Sequence, residues 1–482
     1  MSMGLLSLLW VLPAVGAPVC LAADSVDARA PRRIALAVST LVLLLAAAIP
    51  AAGPLVALSE ASPAWTYGMR YCLAVDGLSL SLCWLTAFLT VVSLLSSWRQ
   101  EFSAGYWSCF LFLEAALFGV FLSRDLFFFY IFWEAVLIPM FFIIGVWGSS
   151  GRRHAAMKFF LFTFFGSVFL LVGILALVTH NHRLTGAWSW DMAALKGMEG
   201  GPKGVLIFGA MALGFAVKIP LFPLHTWLPD AHTEAPAAGS IMLAGALLKM
   251  GAYGFLRVLF PAFPELSWAL LPWLGLIAVV NVIYGALCAM AQSDLKRLVA
   301  YSSVAHLGFC MLGMLSRTPE GLAGGSLQLI NHGLSTGALF LMVGILYERS
   351  HRRGVRDFGA LVGRAPWLSF FFTFAIMASI GLPGTNGFVG EFMSLAGMAR
   401  VLPIFAVAGV LGVTLSAAYA LPAYQAVFWG EAAPGSASAE VTDLDAREKA
   451  LLWALSALML AIGLYPKPLL ALLSSSLRGL LL

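Results

Sequence analysis

The sequence predicts an all-α polytopic membrane protein of about fourteen transmembrane helices. Three observations predict it. Of the 482 residues, 61% are hydrophobic and 11% are charged, against roughly 25% charged in soluble domains. The apolar residues fall in runs long enough to span a bilayer, about 20 residues each. Two of those runs are interrupted by proline or glycine at what would be membrane depth. Such a break is tolerated only inside protein or beside a water-filled cavity.

The runs lie at about 4–22, 34–58, 77–97, 105–122, 125–146, 155–179, 204–222, 235–260, 267–291, 296–317, 322–347, 366–388, 402–429 and 448–474. The first lacks a basic leader and reads as a spanning helix rather than a cleaved signal peptide. Residues 1–104 hold runs one to three, 105–260 runs four to eight, 267–429 runs nine to thirteen, and 448–482 the last. The longest polar stretches, about 180–203 and 430–447, are loops, and no soluble domain fits between the runs. Run seven ends in Lys218, Pro220 and Pro223; run twelve passes through Gly381, Pro383, Gly384 and Gly387. Proline removes a backbone donor and glycine loosens a helix. Each broken run is the fourth of five. Five is odd, so 105–260 and 267–429 are expected to be two inverted five-helix repeats. Paired interruptions in inverted halves point to a transport site.

Loops after odd-numbered runs hold 16 Lys and Arg; those after even-numbered runs, with the C-terminal tail, hold 10. The richer side is expected to be cytoplasmic, with both termini on the other side of a cell inner membrane. The charges form no basic stripe, which argues against nucleic-acid binding. Cysteines 20, 72, 83, 109, 288 and 310 stand singly, without the ligand spacing of a metal or iron–sulfur site. Neither a phosphate-binding loop nor a dinucleotide fingerprint occurs, so energy must come from an ion gradient or from partners.

Charges inside spanning segments are costly and usually face an interior pathway. Glu134, Lys218, Lys249 and Glu391 stand out, with Glu114 a fifth. Burial disfavours the charged form of any ionisable group, and a neighbouring opposite charge restores it. A Glu134–Lys218 pair that opens and closes would therefore hold and release a proton. His306 and His332 supply the intermediate proton affinity that relays need, and Tyr301 and Thr336 could add hydroxyls to a water chain. Glu391 lies just past the break in run twelve, where unpaired N–H groups and the helix dipole favour a carboxylate. His225, Asp230, His232 and Glu234 gather at a helix end, but two prolines and a seven-residue histidine spacing argue against a metal site.

The segments FYIFWEAVLIPMFFIIGVWG, GFAVKIPLFPLHTWLPDAHTEAPAAGS, QSDLKRLVAYSSVAHLGF, NHGLSTGALFLMVGILYER and GLPGTNGFVGEF together resemble the antiporter-like M subunits of proton-pumping NADH:quinone oxidoreductase, respiratory complex I. The mitochondrial chain 4 belongs with them. The likeness runs from about Val75 to the end of run thirteen; the first 70 residues match in pattern alone. The resemblance implies proton translocation through Glu/Lys/His relays, driven by quinone reduction in partner subunits. It implies that Glu134 and Lys218 form an ion pair, that Lys249 is the central lysine, that His306 and His332 relay, and that Glu391 is the terminal acid. Glu114 and Asp125 also match acidic positions. NADH, FMN, iron–sulfur clusters and quinone would belong to other subunits, and this chain would hold no cofactor. Its partners would be other membrane subunits, especially neighbouring antiporter-like ones, with protons and lipids. One departure is visible: Ala426 follows Gln425 where such chains often carry arginine, which puts one charge near the last loop in doubt. The alternative is an Mrp-type cation/proton antiporter subunit, a class that typically places a lysine near the position of Glu391.

Overall fold

A computed structural model describes residues 4–52, 55, 58–198, 201–431 and 435–480. The chain is built of helices. In order they are α1 (Leu5–Ala23), α2 (Ala30–Ala48), α3 (Gly77–Ser96), α4 (Ala104–Leu122), α5 (Leu126–Trp147) and α6 (Arg152–Thr185). Then follow α7 (Pro202–Lys218), α8 (Trp227–Glu234), α9 (Ala237–Ala262), α10 (Leu271–Met290), α11 (Leu295–Ser316) and α12 (Pro319–Ser350). The last are α13 (Pro366–Ser379), α14 (Asn386–Ala399), α15 (Pro403–Trp429), α16 (Ala446–Leu464) and α17 (Lys467–Leu477). One small hairpin, β1 (Ser59–Ala61) with β2 (Cys72–Ala74), pairs antiparallel after α2. Its Glu60 caps the first turn of α1, accepting from the backbone of Leu6 and Ser7.

Among the described residues, eleven helices are long and apolar enough to cross a membrane, or twelve if the α16–α17 pair, bent by 74°, counts as one span. Each of the fourteen apolar runs is helical. The smaller number arises because both broken runs give short helices: run seven ends at its break as α7, 17 residues, followed beyond it by α8 of 8, and run twelve divides into α13 and α14, 14 residues each.

The two breaks are made the same way. In the first, Ile219 N donates to Phe215 O and Leu221 N to Ala216 O. In the second, Ile380 N donates to Ile376 O and Leu382 N to Met377 O. A four-residue bond followed by a five-residue one closes the helix, and side chains from neighbouring helices satisfy what the unwinding exposes. Asn281 of α10 accepts from Phe222 N at 2.6 Å and donates to Pro220 O at 3.2 Å. Asn331 of α12 donates to Asn386 O at 2.7 Å. The left-handed turn of the second break falls on Gly381 and Gly384, φ 78° and 92°, values that cost other residues strain.

Further features match between 105–260 and 267–429. Asp125 caps α5 by accepting from Phe127 and Phe128 N; Asp294 caps α11 by accepting from Lys296 and Arg297 N. Asp125 bridges to Asp191 after α6, and Asp294 bridges to Gly354 after α12. Helices α6 and α12 are both long, 34 and 32 residues.

The centre of the molecule is α9, α11 and α12. In their apolar windows 94%, 94% and 100% of residues are buried, against 28% for the α2 window, which leaves α2 facing outward. Small residues let these helices approach. A side chain added at Gly324 would meet Ser394 N at 2.6 Å, and one at Gly325 would meet Cys310 O at 2.6 Å, so α12 seats directly on α14 and α11.

The surface ion pairs sort by loop. Arg99–Asp445, Arg297–Asp230, Arg349–Glu448, Arg353–Asp294 and Arg353–Glu234 join segments that follow odd-numbered runs. Arg70–Asp191, Arg124–Asp76, Arg257–Asp76 and Arg400–Glu320 join segments that follow even-numbered runs. Among the described residues no ion pair mixes the two sets, as successive crossings of one slab require.

Candidate functional site

The buried polar residues of α9, α11, α12 and α14 form a connected series. It starts at Lys249, which is fully buried between two wide, five-residue turns of α9, Leu243–Leu247 and Phe255–Leu259. Such turns often mark functional positions in helices. The Lys249 Nζ donates to Ala244 O and lies 2.7 Å from Nδ1 of His332 on α12. The His332 ring is 5.9 Å, centroid to centroid, from that of His306 on α11. The His306 Nδ1 donates to Glu391 Oε1 of α14 at 2.8 Å, and its Nε2 faces Ser379 Oγ at 3.1 Å and Tyr419 Oη at 3.4 Å. The same Glu391 oxygen accepts from Gln328 Nε2 at 3.0 Å.

Four sequence-predicted residues are thus brought together, from four helices. The helix-end account of Glu391 needs correction. Glu391 is the sixth residue of α14, beyond the first-turn N–H groups. Among the described residues its carboxylate is held by side chains of α11 and α12, and no backbone N–H donates to it.

Glu134 and Lys218 form a second group. Lys218 ends α7 at the first break, is buried, and sets its Nζ 5.5 Å from the Trp133 ring centroid. Its Nζ and Glu134 Oε1 are both buried without a hydrogen-bond partner among the described residues. The two do not approach within ion-pair distance: the expected pair is open in this structure. The Lys218 ammonium lies over the ring of Trp133, one residue before Glu134, instead.

Glu114 stands apart. It is fully buried on α4 and accepts from Ser39 Oγ of α2 at 2.7 Å, with its other oxygen unpartnered among the described residues. Thr336 is buried with its hydroxyl unpartnered, and Tyr301 lies beside His225, ring centroids 6.3 Å apart, rather than in the His306 series.

The structure adds groups that sequence reasoning missed. Gln328 lies three residues before Asn331 and four before His332, one turn away along α12, a spacing readable in the sequence. Ser379 holds the same place before the second break, ahead of Ile380, that Lys218 holds before the first, ahead of Ile219. His232, weighed only as a metal ligand, is fully buried, stacks on Phe340 at 4.5 Å, and leaves both ring nitrogens unpartnered among the described residues. Lys296 is buried, and its ammonium donates to Ala235 O and Thr233 O. It lines a cavity of about 460 Å³ that opens among Glu234, Glu348 and Arg353, on the face of the odd-run loops. Among the described residues no cluster of three or more His, Cys, Asp and Glu side chains is arranged to hold a metal ion.

Residues 123–416 match the family described as NADH:quinone oxidoreductase/Mrp antiporter, TM. An NADH-quinone oxidoreductase subunit M from Rhodobacter capsulatus is 43% identical over 434 residues, covering 88% of this chain and 84% of that one. A chain of respiratory complex I from Thermus thermophilus, solved with bound NADH, superposes with a TM-score of 0.88 at 32% identity, covering 99% of this chain and 100% of that one. A chain of the Mrp complex from Dietzia sp. DQ12-45-1b has the same fold, TM-score 0.87 at 21% identity, covering 99% and 98%. This multi-pass membrane chain belongs to the NADH:quinone oxidoreductase/Mrp antiporter transmembrane family.

Proposed function

We propose that the chain is the proton-translocating M-type membrane subunit of a NADH:quinone oxidoreductase, working in a cell inner membrane beside other antiporter-like subunits. It contributes to a translocase without a redox centre of its own; electron transfer in partner subunits drives it. The carrying observation is the Lys249–His332–His306–Glu391 series through the most buried helices. In this reading the Lys249 ammonium gives its proton to His332 Nδ1. The next step, from the unpartnered His332 Nε2 to His306, spans rings close enough for one bridging water. His306 then protonates Glu391. Protons reach Lys249 from the cavity at Lys296 by way of His232, and Glu134 with Lys218 sets when they move: closing the pair holds a proton on the lysine, and opening it releases the proton. The matched breaks, caps and bridges support two inverted repeats, 105–260 and 267–429, and fourteen crossings in which α7 with α8 and α13 with α14 each make one.

Lys218→Ala and Glu134→Ala are each expected to abolish nearly all proton pumping and coupled quinone reduction while the complex still assembles. Removing one partner leaves either a buried charge uncompensated or no carrier. Near-normal pumping in assembled variants would reduce both residues to structural roles. The second reading, an Mrp-type cation/proton antiporter subunit, is supported by the shared fold. The carboxylate at Glu391, where that class typically has a lysine nearby, favours the first. Co-purification separates them: flavin and iron–sulfur subunits in one case, membrane antiporter subunits alone in the other.

A further inference from the structure

On the face of the even-run loops, the start of α3, the end of α9 and the tail of α17 enclose a cavity of about 190 Å³. Arg124, Lys196 and Arg257 line it together with Leu78, Leu256 and Leu477. At roughly 30 Å³ per water, the space fits a phosphate group and the stub that carries it, not a whole lipid.

The charge at this cavity is unbalanced. Asp76 pairs with both guanidiniums, at 3.1 Å to Arg124 and in closer contact with Arg257. Tyr253 and Ser79 hydroxyls accept from Arg124 as well. One carboxylate against three cations leaves a surplus of two positive charges. Lys196 is exposed and has no ion-pair or hydrogen-bond partner among the described residues, and the Arg257 Nε is buried without one. A purely structural role, fastening α3, α4 and α9 through Asp76, accounts for the two arginine–carboxylate bonds. It leaves Lys196 and the free Nε unexplained.

The cavity sits where spanning helices end, at the depth where a bilayer places its headgroups. Cations there attract anionic lipids, and the half-buried Leu480 beside them leaves an apolar rim at the cavity. We propose that this cavity binds the phosphate of an anionic phospholipid. The proposal rests on the membrane-spanning fold and not on the proton pathway.

The test uses the assembled complex in non-ionic detergent with phosphatidylglycerol that carries a photoreactive headgroup. Crosslinks are expected within 193–198, 256–261 or 476–480. Unlabelled phosphatidylglycerol is expected to compete them away, while phosphatidylcholine and inorganic phosphate are not. Lys196→Gln removes a side chain with no protein partner, so the melting temperature should hold while affinity for the labelled lipid falls about fivefold. Equal competition by phosphatidylcholine, unchanged labelling in Lys196→Gln, or full competition by inorganic phosphate, which would make this a site for an adventitious ion only, would each overturn the assignment.

Discussion

At the scale of single residues, the proposed proton route runs where charge is costly. Glu391 is the clearest case: it is buried and accepts from His306 and Gln328. Glu391→Gln keeps shape and hydrogen bonding but removes the titratable proton. It is expected to lower pumping by roughly tenfold or more, in line with loss of a positioned acid–base group, whereas Glu391→Asp retains most of it. Normal pumping in the glutamine variant would move the proton's way out elsewhere. Glu114 offers the contrast. Its one side-chain hydrogen bond, from Ser39, leads to α2 and away from the series, so Glu114→Gln should pump within about twofold of the parent, measured in vesicles by the quench of a pH-sensitive dye. The ionisable members of the series were legible in the sequence because an isolated charge in an apolar run is conspicuous. Ser379 and Gln328 were not, since hydroxyls and amides are cheap enough in a helix to pass as filler. Nor could sequence say that the Glu134–Lys218 pair would stand open, because side-chain conformation, not composition, decides it.

At the scale of elements, the apolar runs named every helix but α8, which falls between runs seven and eight, and proline and glycine named both breaks. What stayed hidden was local: the wide turns at Leu243–Leu247 and Phe255–Leu259, which follow no composition rule, and the length of α14 before Glu391. The second break rests on Gly381. Alanine there would carry the strain of positive φ, about 1–3 kcal/mol, and its Cβ would stand 3.2 Å from Glu391 Oε2. Gly381→Ala is therefore expected both to lower the melting temperature and to slow pumping, while Gly363→Ala, with nothing within 4 Å of an added Cβ, does neither. At the cap of α3, burial acts to raise the pKa of Asp76, but Arg257 and Arg124 hold it below the usual carboxylate range. A carboxyl held low contributes stability that is whole above its unfolded value of about 3.9 and fades as pH falls toward the folded one. Melting should be insensitive to this group from pH 7 to about 5 and weaken below about 4. Asp76→Asn should melt lower at pH 7 and lose that part of the acid dependence.

At the scale of the whole molecule, the ion pairs divide the loops into two faces, and the division says which loops share a side without saying which side is inside. Charge count supplies the expectation for the second. The odd-run face carries 16 Lys and Arg against 10, and the loop after α12, with Arg349, Arg352, Arg353, Arg356 and Arg364, accounts for most of the excess. Short loops rich in such residues stay cytoplasmic. The direction matters for mechanism, because a proton moved outward against the membrane potential costs about 2.3 kcal/mol per 100 mV. With the odd-run face inside, the proposed route would take up protons at the Lys296 cavity. Two exposed glycines allow a matched test. Gly363 lies in the loop after α12 and Gly201 at the start of α7, and an added Cβ meets nothing within 4 Å at either. Gly363→Cys should react with a membrane-impermeant maleimide in inverted vesicles and not in intact spheroplasts. Gly201→Cys should do the reverse, each read against the parent chain with its six native cysteines. If both react from the same side, the two-face division fails. If both react from the side opposite to the one expected, the division stands but the molecule is inverted, and the Lys296 cavity becomes the way out.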